Sequence, residues 1–305
     1  MYALIPSQRK RPPPKMGFDM GREEADHAEP WNEAVEELLM SLKERKLHRE
    51  ITLALNTGLR DASAEFSFLR IRGLRSILDL LKSVSQFDSI ADSFRGTQAK
   101  PDLQVVPVLF QHSLKESEAN RVESLEHIFG VEPKKVSTPS TDVEIATAVR
   151  VLEGCCLIHR ESSKLAHQHN AVQVLLHILC TKSSLEQSAC LDALMSVMLD
   201  STSNQLDFDE CNGIEKVTSI IKNKQVAEDI RLKCGEFLVL LINHVNGRVR
   251  PPLATLHGGL RRQLGEKSAT LLWAVGQSGS SLDPEERRTA LHVQARRVLL
   301  SLDLS

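Results

Sequence analysis

The chain has 305 residues, 41% of them hydrophobic and 26% charged, with a formal net charge of −2. That apolar content excludes a chain disordered throughout, and the near-zero charge selects neither nucleic acid nor a membrane surface as partner. No apolar run reaches the roughly 20 residues needed to span a bilayer.

Aromatic residues make up only 4% of the chain, with two Trp and one Tyr. Cores of Leu, Val, Ile and Ala suit closely spaced helices, whereas sheets draw on aromatic and β-branched residues. The first residues, MYALIPSQRKRPPPKMG, lack the apolar stretch of a secretory signal. Six cysteines mostly sit inside apolar helical patterns, where a free thiol acts as a small hydrophobe. Together these features point to a reduced, cytoplasmic compartment.

In chain order, residues 1–30 combine Arg9, Lys10, Arg11, Lys15 and several prolines with an acidic stretch, and read as a disordered tail. The basic cluster is also a candidate nuclear-entry signal. Helix is predicted from Trp31, with Val35, Leu38, Leu39 and Leu42 on one face, then again over His48–Gly58 and Ile71–Val84. Ser85–Asp102 reads as a loop or weak helix. Leu103–Phe129 reads as helices, with VVPVLF also compatible with a strand. Gly130–Asp142 reads as an exposed loop. Helix resumes at Val143 and continues through two strongly patterned segments. It breaks at NGRVRPP, returns over Leu253–Val275, turns at GQSGSS and restarts at Asp283-Pro284-Glu285-Glu286.

The two strong segments are copies of one pattern. HNAVQVLLHIL…EQSACLDAL runs from His169 to Leu194, and CNGIEKVTSII…RLKCGEFL from Cys211 to Leu238. Asn170 aligns with Asn212, Leu175 with Val217, Cys190 with Cys234 and Leu194 with Leu238, a period of 42 to 44 residues. That period belongs to stacked two- or three-helix repeats, in which each apolar stripe is buried by its neighbours. Gly73, Leu74, Ile77, Leu80 and Leu81 repeat the spacing a third time and predict a helix start at Gly73.

The His169–Leu194 segment resembles armadillo-type repeats. The stretches LEGCCLIHRESSKLAHQHNAV, QSACLDALMSVMLDSTSNQLDFDECNGIEKV and RLKCGEFLVLLINHVNGRVRPP, within Leu152–Leu302, resemble the cell division control protein 14 family. This family is the septation-initiation-network component, not the phosphatase that shares the name. The resemblance implies a non-catalytic partner of a germinal-centre-type kinase at cytokinesis, placed in the cytoplasm or at a microtubule-organising centre.

His159, His167, His169 and His177, near Cys155, Cys156 and Cys180, lack the spacing of a metal site. Asp200 to Cys211 imitates a calcium loop, but Gln205 stands where glycine is required and Cys211 where glutamate is required; an inter-helix loop is expected. No nucleophile or Walker motif appears, so neither catalytic residues nor a cofactor are expected. The positions that carry an asparagine ladder in armadillo importins hold Ser196 and Leu240. Arg248 and Arg250, in a proline-bounded turn, and Arg261 and Arg262 beyond it are the candidate partner contacts. Thr138, before Pro139 and near Lys134 and Lys135, is a candidate phosphorylation site.

The sequence thus predicts an all-α, armadillo/HEAT-like solenoid over residues 31–305, serving as an adaptor for a signalling kinase. Two alternatives are an armadillo module like the regulatory region of formins and a hydrolase with an unrecognised site.

Overall fold

The computed structural model describes residues 28–115, 138–246, 256–278 and a few positions between 289 and 300. The predicted N-terminal tail falls almost wholly outside them, as do the NGRVRPP turn from Gly247 onward and the helix start at Asp283. The chain divides into two compact units, residues 1–46 and 47–305. In the first, helix α1 (Ala28–Ala62) begins, and Val35, Leu38, Leu39 and Leu42 on it are exposed rather than buried.

Every regular element among the described residues is helical, and none is a strand. α1 is one continuous helix where the sequence predicts two, because the joining segment LKERKLHRE contains no glycine or proline to break it. In the second unit follow α2 (Ser67–Val84) and α3 (Asp88–Gln98). α3 settles the stretch read as a loop or weak helix; its periodicity is short, but Phe94 on it is fully buried and anchors it.

A 3-10 turn at Pro101–Leu103 leads to α4 (Val105–Val108), which widens into a π turn at Leu109–Ser113. VVPVLF is therefore helical. The buried amide of Gln98 fixes this corner, donating to Leu103 O at 2.8 Å and accepting from Val105 N–H at 3.1 Å. Nine further helices follow among the described residues up to 278: α5 (Asp142–Ile158), α6 (Arg160–Gln168), α7 (Ala171–Thr181), α8 (Ser184–Met198), α9 (Thr202–Glu210), α10 (Gly213–Lys222), α11 (Glu228–Asn246), α12 (Leu256–Leu264) and α13 (Glu266–Ser278). The helix predicted over Leu253–Val275 is split at Gly265, whose φ of +80° favours glycine and ends α12.

The duplicated pattern is also a duplicated backbone. Asn170 precedes α7 with φ 53° and ψ 38°, and Asn212 precedes α10 with φ 55° and ψ 41°. Both occupy the left-handed region, which asparagine tolerates better than most residues. Cys190 and Leu194 on α8, and Cys234 and Leu238 on α11, are all fully buried. α8 packs against α5, α7 and α11, forming a row of neighbouring helices through the main core.

Two expectations need correction. Gly73 lies inside α2 rather than at a helix start. A Cβ there would sit 2.4 Å from Ala62 N and 2.5 Å from Gly58 O, so glycine is required by the close crossing of α1 and α2. The calcium-like segment is not a loop but helix α9, capped by the Ser201 side chain. Its buried side chains close the end of α8: Asn204 Nδ2 donates to Val197 O at 3.2 Å and Gln205 Nε2 to Met198 O at 2.7 Å. These bonds satisfy carbonyls that a helix end otherwise leaves open.

Two measurements check this core. Leu194→Asp and Leu238→Asp each place a charge in a fully buried apolar site, a cost of several kcal/mol against a total stability of about 5–15 kcal/mol. Each is expected to abolish cooperative unfolding or lower the melting temperature sharply. The thiols offer the second check. Burial pushes Cys156 and Cys234 up to about 12 and raises Cys155 and Cys190 as well. In native protein a thiol reagent is expected to label exposed Cys180 and leave these four untouched until denaturant is added.

Candidate interaction surface

Arg248 and Arg250 lie outside the described residues. Arg261 and Arg262 are both exposed on α12, and the structure gives them different surroundings. Arg261 Nε donates to Glu266 Oε2 at 2.5 Å across the Gly265 break. Arg262 lines a shallow cleft between the start of α10 and α12, together with Asp209, Asn212, Glu215 and Gln263. Gln263 accepts a 3.4 Å bond from Lys222 Nζ. Arg261 is thus held by Glu266, while Arg262 donates to Gly258 O at 3.4 Å and lines a cleft that also holds carboxylates of α9 and α10.

Sequence reasoning missed a polar ladder on the row of α5, α8 and α11. Lys233 on α11 donates to Asp192 Oδ2 at 2.5 Å and Ser188 Oγ at 2.8 Å, both on α8. Glu153 on α5 has its carboxyl pushed up, first by burial and then by the charge of Asp192; Arg150 and Lys233 oppose the shift. Glu236 Oε1 on α11 accepts from His292 Nδ1 at 3.1 Å in the tautomer that carries a proton there. On the same helices Leu157 is 57% and Leu240 37% exposed. The legible signal was charge inside otherwise apolar helices. Ser196, at an importin ladder position, is buried and bonds back to Asp192 O at 3.0 Å.

Thr138 is half-buried and held by a second unpredicted network. Its Oγ1 accepts from Ser67 N–H at 2.6 Å, at the first residue of α2, and donates to Glu65 O at 3.4 Å. Its own N–H donates to Glu65 O at 3.0 Å. Behind it lies Arg70, only 4% exposed. All five guanidinium N–H groups find acceptors: Glu144 Oε1 (2.6 Å) and Oε2 (3.1 Å), Ala64 O (3.2 Å), Glu65 O (2.7 Å) and Thr138 O (2.8 Å). Glu144 is fully buried and also accepts from Ser67 Oγ at 2.6 Å and Ser140 Oγ at 3.2 Å. It stands at the third position of α5, where the Thr141 side chain accepts from its N–H. Thr141-x-x-Glu144 is the spacing of a capping box, but here the carboxylate is diverted to Arg70.

The histidines do not converge. His159 Nδ1 bonds Ser162 Oγ at 3.0 Å, His167 Nδ1 bonds Asp207 Oδ2 at 2.6 Å, and the His169 ring stacks on Phe110. Among the described residues, no group of three or more His, Cys, Asp or Glu side chains is placed to hold a metal. No helix there is long and apolar enough to cross a membrane.

Comparison with known proteins gives one family. The model for "Cell division control protein 14, SIN component" matches residues 110–289. The Schizosaccharomyces pombe protein "Cell division control protein 14" is 27% identical over 96 residues, which is 31% of this chain and 40% of that relative. The matched stretch therefore spans less than half the length of that relative. No solved structure matches.

The ladder makes a pH prediction. The folded-state proton affinity of Glu153 exceeds its unfolded value, so its contribution to stability is present at acid pH and lost as pH rises through the raised pKa. Glu153→Gln is expected to raise the melting temperature at pH 7.5, with the gain shrinking as pH falls towards 4. A pH series of thermal melts checks this.

Proposed function

The chain belongs to the family of cell division control protein 14, SIN component, and from that premise we propose that it is a non-catalytic adaptor for a signalling kinase in cell division. The observation that carries the reading is the family match, which covers the duplicated helices and the row of α5, α8 and α11. The helix pairs stack in this reading as an armadillo-like solenoid, supported by the matching left-handed asparagines before α7 and α10. The partner is a germinal-centre-type kinase, and the setting is the cytoplasm or a microtubule-organising centre at septation. Docking runs through the repeat surface and its arginines: Arg248 and Arg250 in the turn, with Arg261 and Arg262 on α12.

Exposed arginine changes normally move stability by no more than about 0.5 kcal/mol, so charge reversal separates binding from folding. Arg248→Glu with Arg250→Glu is expected to leave the helical spectrum and melting temperature intact. The same variant should lose a kinase that wild-type chain recovers from dividing cells, identified by mass spectrometry, because reversed charges repel as well as lose contacts. Normal recovery by this variant, together with loss on deleting residues 1–30, would move the docking site to the N-terminus.

A further inference from the structure

We propose that Thr138 is the target of a proline-directed protein kinase, and that its phosphorylation opens the contact between the α1–α2 turn and the start of α5. The following residue is Pro139, which is exposed, and Thr138 to Thr141 belong to no helix or strand, so the dipeptide lies in irregular backbone, which a kinase cleft can take up without unwinding an element. The Thr138 hydroxyl is at the same time the pin of the latch. It joins Ser67 and Glu65 on one side of the contact to the segment that leads into α5 on the other.

Phosphoryl transfer is incompatible with this closed arrangement on two counts. The hydroxyl oxygen attacks the γ-phosphorus of the kinase's nucleoside triphosphate, the bond to the β-phosphate oxygen breaks, and the hydroxyl proton passes to the kinase's base. The bond to Glu65 O is then lost because no proton remains to donate. The new group also brings about −1.5 to −2 charge close to Glu144, a fully buried carboxylate. A free guanidinium would welcome that charge, but all five donors of Arg70 are already taken, one of them by the carbonyl of Thr138 itself. The first amide of α2 and the Arg70 charge both attract the phosphate, but that charge is already matched by Glu144, so the added negative charge exceeds what the closed contact can balance.

The segment therefore leaves. The kinase works on the conformer in which Thr138 is already released, and the phosphate prevents reclosure, so modification shifts an existing equilibrium. This inference does not depend on the adaptor reading, since it concerns residues far in sequence from the arginine turn.

The test uses the full chain and a purified proline-directed Ser/Thr kinase with ATP. Phosphate is expected on Thr138 by peptide mass mapping, and it should be lost in Pro139→Ala, which removes the kinase's determinant while leaving every side-chain bond of Thr138 in place. In the phosphorylated protein, amide hydrogen exchange at residues 67–70 and 142–146 is expected to speed up by roughly tenfold or more, as breaking charge-assisted hydrogen bonds requires. Thr138→Val, which removes the pin without adding charge, should show a smaller change in the same amides. Absence of phosphate on Thr138 would overturn the proposal. So would phosphate on Thr138 with exchange unchanged in both segments.

Discussion

A guanidinium can be taken out of water only if every donor is met, and Arg70 meets that condition through groups from three separate stretches of chain. The carbonyls of Ala64 and Glu65 come from the turn after α1, that of Thr138 from the approach to α5, and the carboxylate of Glu144 from α5 itself. A pair of this kind adds little net stability compared with an apolar core of equal volume, because desolvation cancels most of the attraction. Its effect is on geometry. Any sliding of α2 along α5 leaves a buried charge unmatched, so the pair restricts the two helices to one register while the apolar contacts between them would tolerate several. The Gly58–Gly73 crossing constrains α1 and α2 in the same way by contact rather than charge.

The legible part of this fold was the part written in local period. Helices α5, α7, α8, α10 and α11 follow from apolar spacing, and the two copies could be aligned residue by residue because their buried faces use the same positions. The misreadings share a cause. α3, left open between loop and weak helix, and α9, read as a loop, are each held by long-range burial: Phe94 in one, Phe208 with Asn204 and Gln205 in the other. The third repeat was misread at Gly73 because a glycine at a helix crossing and a glycine at a helix start look alike in sequence. Arg70 and Glu144 are 74 residues apart, and no periodicity connects them.

The surface was less legible than the core for a physical reason. A buried position is constrained by volume and polarity, so its residue type is informative, whereas an exposed arginine fits equally well into a solvated face or a contact. Arg261 and Arg262 are adjacent in sequence, yet one is occupied by Glu266 and the other lines a cleft with Asp209 and Glu215. The Glu153–Asp192–Lys233 ladder was hidden because its members belong to three helices. It became visible only when α5, α8 and α11 were found side by side.

α5 connects these parts. Its first turn carries Glu144, the anchor of the buried pair, and its later turns carry half-buried Glu153 and exposed Leu157. A helix is stiff over 17 residues, so a change in how its N-terminus is held cannot be absorbed within it and is passed to its neighbours. α8 is the neighbour that receives it, since α8 packs along α5 and also holds Lys233 of α11 through Asp192 and Ser188. The element that fixes the register at one end is thus the same element that carries Glu153 and Leu157 at the other. A change at the buried pair can therefore reach the outer side chains of α5, α8 and α11 without any ligand touching them.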